Sequence, residues 1–285
     1  MDNILLIFFI FLRIISNPAA NALQKSLSLN YSSIVINIFT YAFLSIFCLF
    51  RINEIFKYDI SLTFIFLVIT CGFLCTLGMI CMIKAVNIGE LSVIGPINSY
   101  KSIISLLIAM IFLKEIPSFS GFIGIILIAY GSWFFFKGDD NQKISIIKRK
   151  DIQFRILAMT FTAIEAVLLK KVIILSSPEV CFIYWCFTGF LWSFILLFLL
   201  KKTIVLPSIK SIDKIFIISV CLGIMQFSTN YVFEKINVAY ALSLFQLSSI
   251  VSVLFGYKFF HEKNILSKLI GSVIMIIGSC LIITG

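Results

Sequence analysis

Apolar residues run along this chain in blocks of about 20, separated by short polar breaks, which is the length a helix needs to cross a hydrocarbon layer. Ten such blocks fit, at 4–24, 32–50, 60–83, 91–113, 119–136, 152–172, 179–200, 213–234, 239–260 and 264–284. Helices are the expected form, because hydrocarbon offers backbone N–H and C=O groups no other partners. The fourth block breaks the apolar rule. Pro96, Asn98, Ser99, Lys101 and Ser102 crowd its first half, and Lys114-Glu115 mark its exit into water. A cation near midspan costs about 2.5 kcal/mol or more, so Lys101 requires a protein-lined or wet cavity, and hence a bundle around it.

Composition agrees with this pattern and narrows the classes. The chain is 61% hydrophobic with a mean hydropathy of +1.12, against about half apolar in soluble domains. The net charge of +10 resides mostly in the breaks, which suits anionic headgroups; no basic face alternates with aromatic stackers, so nucleic acid is excluded as a partner. Eight cysteines lie almost entirely in apolar blocks without a CxxC, and His261 is the one histidine, so neither disulfides, a metal nor a cofactor is expected. Residues Leu5 to Leu12 followed by Ala20-Asn21-Ala22 imitate a signal peptide. The imitation lacks a basic start and is interrupted by Arg13, so the segment is expected to stay in the protein.

Sliding one half of the chain over the other by 147 residues pairs Glu115 with Glu262, Gly124 with Gly271, and Gly131-Ser132 with Gly278-Ser279. Upstream, a slide of 145 pairs Lys25 with Lys170 and Ser32 with Ser177. The chain therefore divides into a first five-helix repeat at 1–138, a linker at 139–150 and a second repeat at 151–285. Five is odd, so the second repeat enters the membrane from the opposite side. Inverted repeats of this kind are a recurrent plan of secondary transporters, with the substrate site near the midplane between the halves.

The stretches FLKEIPSFSGFIGIILIAYGS (Phe112 to Ser132) and FFHEKNILSKLIGSVIMIIGS (Phe259 to Ser279) carry a family resemblance. An acidic residue closing the fourth and ninth helices, then Gly some nine residues later and Gly again after seven, resembles the EamA-like halves of the drug/metabolite transporter superfamily. The resemblance implies an all-α integral membrane protein of ten helices in two inverted repeats. It also implies transport, of cargoes that range across the superfamily from amino acids to lipid-linked sugars. Orientation is read two ways. The side bearing the central loop collects fifteen Lys and Arg, from Lys25 and Lys84 through the loop group and Arg155 to Lys268, against Arg51, Lys57, Lys114, Lys170, Lys171 and Lys235. The positive-inside rule then puts the central loop in the cytoplasm, whereas family members place both termini there.

With loop residues set aside, Arg13, Lys101 and Glu165 remain inside spans. Lys101 and Glu165 either form a structural ion link between the halves or handle substrate, and Glu165, as the one carboxylate deep in a span, is the natural proton carrier. Amides at helical spacing complete the candidate lining: Asn17 and Asn21 around Pro18, Asn98 beside Lys101, Gln226 with Thr229 and Asn230, and Gln246 on the ninth block. Each alone could equally hydrogen-bond a neighbouring helix. Glu115 and Glu262 read as caps or partners of nearby lysines, the repeat glycines as close-packing positions, and Trp133, Trp185 and Trp192 as anchors or packing groups. A phosphate-binding GxxxxGK[ST] loop is absent, and neither His261 nor Asp139-Asp140 has the partners an intramembrane enzyme needs. The expectation is a non-enzymatic secondary transporter in the cytoplasmic membrane. It acts as a monomer, with at most a weak dimer, on a small anionic or zwitterionic metabolite, with a flippase for a lipid-linked sugar as the alternative and an intramembrane enzyme as a remote one.

Overall fold

The structure is a computed structural model and describes residues 2–58, 60–101, 103–104, 118–136, 148–201, 203, 205–236 and 238–284. Its elements are helices: α1 (Asp2–Ser28), α2 (Ser33–Leu49), α3 (Leu62–Ile88), α4 (Leu91–Ile94), α5 (Phe119–Phe136), α6 (Lys150–Leu175), α7 (Pro178–Leu199), α8 (Ile209–Lys235), α9 (Val238–Phe245), α10 (Ser248–Phe260) and α11 (Ile265–Thr284). Short 3₁₀ segments occupy Ile52–Lys57 and Pro96–Ser99. Starts follow local chemistry: Ser61 and Ser177 cap α3 and α7 by accepting from Phe64 N and Val180 N, and Pro178 stands in the first turn of α7, where its missing N–H has no role. The sequence expectations for Ser102, the second half of the fourth span with Lys114 and Glu115, and most of the linker fall outside the described residues.

Helix neighbours follow a two-fold plan. α1 of the first half packs on α8 of the second, and α3 packs on α6, so the first and third spans of each half exchange partners. The second spans, α2 and α7, meet each other; so do the fifth, α5 and α11; and α4 meets α10. The glycine pattern explains the fifth-span crossing. A Cβ on Gly131 would lie 2.9 Å from the Gly271 carbonyl oxygen, and one on Gly278 would lie 2.7 Å from that of Gly124. Both backbones thus approach too closely for any side chain, and the contact is the same from either half.

The outside of the bundle is apolar, with Phe66 at 69% exposure and Phe11 at 59%, while Asn230, Gln246 and Ser193 are fully buried. That inversion of the soluble pattern is what lipid selects. Among the described residues, five helices are long and apolar enough to cross a membrane, α3, α7 and α8 included. α6 is as long, at 26 residues, yet carries Arg155 and Glu165 within it. Its polarity has a use, described below.

The fourth span is not the continuous helix expected from the sequence. After the single turn of α4, Pro96 opens a 3₁₀ segment in which Asn98 N donates to Gly95 O at 3.1 Å. The ninth span breaks at the corresponding place: Gln246 N donates to Ser243 O at 3.1 Å, and Ser249 N to Gln246 O at 2.9 Å, between α9 and α10. Proline explains the first break, since it lacks a donor. The second has no proline or glycine; it lies where the side chains of Asn98 and Gln246 bond each other, Asn98 Nδ2 donating to Gln246 Oε1 at 3.2 Å.

Candidate functional site

Around these breaks lies a cavity lined from both halves. α1 contributes Arg13, Asn17 and Asn21, the fourth span Asn98 and Lys101, α6 Arg155, Thr162 and Glu165, and α8 Gln226 and Thr229. Trp185, Cys75, Met79, Met82, Phe233 and Phe245 add apolar wall. The cavity offers about 120 Å³ to water-sized spheres, room for several waters and below the ~300–1,000 Å³ of drug-sized pockets.

Its cations are held but not neutralised. Arg13 donates from Nε to Thr229 Oγ1 at 3.0 Å and lays its guanidinium 4.9 Å from the Phe245 ring centre, while its Nη1 is buried without a protein partner. Arg155 donates from Nη2 to Asn98 Oδ1 at 2.7 Å and from Nη1 to Met82 Sδ at 3.0 Å, leaving Nε buried and unpartnered. Lys101, with three donors, has among the described residues a single long contact, to Thr162 Oγ1 at 3.5 Å. Glu165 accepts from Trp185 Nε1 at 3.2 Å. Among the described residues none of these four joins an ion pair within 4 Å, so the structural link between Lys101 and Glu165 is not made in this state.

Most residues singled out from the sequence are brought together here: Arg13, Asn17, Asn21, Asn98, Lys101, Glu165 and Gln226 all face the cavity. Asn230 and Gln246 do not line it. Asn230 accepts from Gln226 Nε2 at 3.0 Å and donates to Pro178 O at 3.1 Å, tying α8 to the start of α7, while Gln246 sits at the helix break. One residue lies elsewhere than its spacing suggests: Arg155, which follows Lys148-Arg149-Lys150 and reads as a loop charge, is buried and bonded to the fourth span. Trp185 is a packing group of the core, as expected, and in addition hydrogen-bonds the cavity carboxylate.

A second polar cluster closes the bundle at the end that carries the central linker. Glu262 accepts from Lys25 Nζ at 2.9 Å, Leu91 N at 2.8 Å and Ser92 N at 2.9 Å, so it caps α4 from the other half. Lys25 also donates to Gly89 O at 2.8 Å, and Lys268 bonds Glu90 and Ser92. Burial pushes the Glu262 carboxyl up, but bonds from Ser92 and Lys25 outweigh it and hold it below its ordinary value. Lys170, the repeat partner of Lys25, does for the end of α8 what Lys25 does for the end of α3, donating to the carbonyls of Phe233, Glu234 and Ile236.

Paired halves around a polar cavity lined from both, with the fourth span of each half broken beside it, match the plan of multi-pass membrane transporters of the inverted-repeat class. The chain belongs to the EamA-like transporter family, whose model matches residues 4–137 and again 150–284. A search of curated proteins found no match. A solved structure described as "Crystal structure of protein" superposes with a TM-score of 0.63 over 97% of this chain and 96% of its own, at 11% identity, which is similarity of fold.

Proposed function

We propose that the protein carries a small anionic or zwitterionic metabolite, amino-acid-like in size, across the cytoplasmic membrane by alternating access, as a monomer. The observation that carries this reading is the charge of the cavity: Arg13, Lys101 and Arg155 face one carboxylate, Glu165, and retain unused donors. A carboxylate or phosphate would satisfy them with charge-assisted hydrogen bonds; a lipophilic cation would be repelled. The limited volume supports a metabolite over a lipid-linked sugar. Glu165 is the group that would take up and release a proton if a proton gradient drives the cycle. The test is counterflow into proteoliposomes with radiolabelled amino acids, nucleotides, phosphorylated metabolites and organic cations. Exchange of carboxylate or phosphate compounds is expected, and exchange confined to organic cations would overturn the proposal.

A further inference from the structure

The charges and donors of the cavity point to a narrower ligand class than an anion in general. With Glu165 ionised, the described lining carries three positive charges and one negative, a surplus of two. The surplus is spread over three elements: Arg13 on α1, Lys101 on the fourth span, Arg155 on α6. On α6 itself, Arg155 and Glu165 are ten residues apart, about 15 Å of helix rise, so Arg155 marks a pole of the cavity separate from the carboxylate. A simple zwitterion engages this lining poorly. Its ammonium has one carboxylate to meet among the described residues, Glu165, already bonded by Trp185, with neutral amide and hydroxyl oxygens besides, and adding no net charge it leaves the positive surplus uncompensated.

We infer that the ligand is a small organic dianion, a short dicarboxylate or a phosphate monoester, with one charge near Lys101 and Arg13 and the other on Arg155. Arg155 is prepared for that part: it lines the cavity, Asn98 and Met82 occupy two of its nitrogens and fix the plane of the guanidinium, and its buried Nε has no partner among the described residues. Asn98 is in turn held by Gln246 across the two helix breaks, so the anion at Arg155 would be sensed where the halves meet. The inference rests on the anion-carrying role proposed above and adds the second charge.

Succinate and butyrate share a four-carbon skeleton and differ in the second carboxylate; glycerol phosphate, alanine and choline supply the phosphate, zwitterion and cation arms. Their affinities for the purified full-length protein, read from ligand-induced shifts of thermal unfolding at constant ionic strength, decide the matter. Succinate or glycerol phosphate should bind about 10- to 100-fold more tightly than butyrate or alanine. In Arg155→Gln that preference should collapse towards unity, whereas Arg51→Gln, which removes an exposed cation paired with Glu179, should leave it unchanged. Should Arg155→Gln fail to fold, the wild-type ratio alone decides. Equal binding of succinate and butyrate overturns the dianion and leaves the anion carrier standing; binding of choline with none of the anions overturns both.

Discussion

Replacing Glu262 by alanine removes one side chain and strands three donors. The carboxylate is 5% exposed and Lys25 is 15% exposed, so the pair is screened little by solvent. Its loss leaves the Lys25 ammonium with Gly89 O and the Phe260 ring and strips the amides of Leu91 and Ser92, the first two donors of α4, of their acceptor in a buried site. Breaking a buried ion pair by deleting one partner costs about 3–5 kcal/mol, and the lost cap contributes about 1 kcal/mol within that figure. Glutamine keeps an acceptor but not the charge and should cost roughly half as much. Apparent melting of the purified protein, followed by tryptophan fluorescence, should fall by on the order of 10 °C for Glu262→Ala and by less for Glu262→Gln. An alanine variant that melts within a degree of the wild type would refute the clamp and reduce the Lys25–Glu262 contact to a surface coincidence.

The other consequences are shorter to state. Because the folded Glu262 carboxyl is held below its ordinary value, its contribution is present above about pH 4.5 and lost as pH falls through the folded value; acid melting curves of wild type and Glu262→Gln should therefore begin to approach each other below pH 4.5 and meet only once pH is below the folded value. Glu165→Gln should uncouple uptake from an imposed proton gradient, and uptake in that variant that still tracks the gradient would remove Glu165 from proton handling. Gly278→Val should destabilise by about 1–3 kcal/mol through overpacking against Gly124 O and Ile128, visible as a lower melting temperature; an unchanged one would show that the crossing relaxes freely.

How much of this was legible in the sequence depended on range. Spans, repeat and glycine crossing follow from periodicity and from residue types whose constraints are local, so Gly131 and Gly278 announced a close approach before any neighbour was known. Pro96 was visible in the fourth span, yet the apolar pattern there reads as one continuous helix, so the break at Pro96–Ser99 came from the structure. The matching break in the ninth was hidden, because the run from Ser243 to Ser249 contains neither proline nor glycine. The turn sits where Gln246 accepts from Asn98 across a separation of 148 residues, a contact no local pattern announces. Arg155 was hidden for a different reason: five residues into a helix that starts among basic residues, its charge is indistinguishable by spacing from a loop charge. Only the packing of α6 on α3, which sets Met82 against it, turns the guanidinium inward. Glu262 was recognisable as a cap, but not as the cap of a helix in the other half.

Counterflow through Lys101→Met is the most direct test of the central claim that a surplus of buried cations carries an anion. Among the described residues Lys101 has one long protein contact and is one of three cations facing the cavity, so methionine, similar in length and apolar, should leave folding intact while removing that charge. Proteoliposomes of wild-type protein should exchange a labelled carboxylate or phosphate compound, and those of Lys101→Met should exchange it about 10-fold or more weakly. Undiminished anion exchange by the methionine variant, with its melting temperature preserved, would contradict the account.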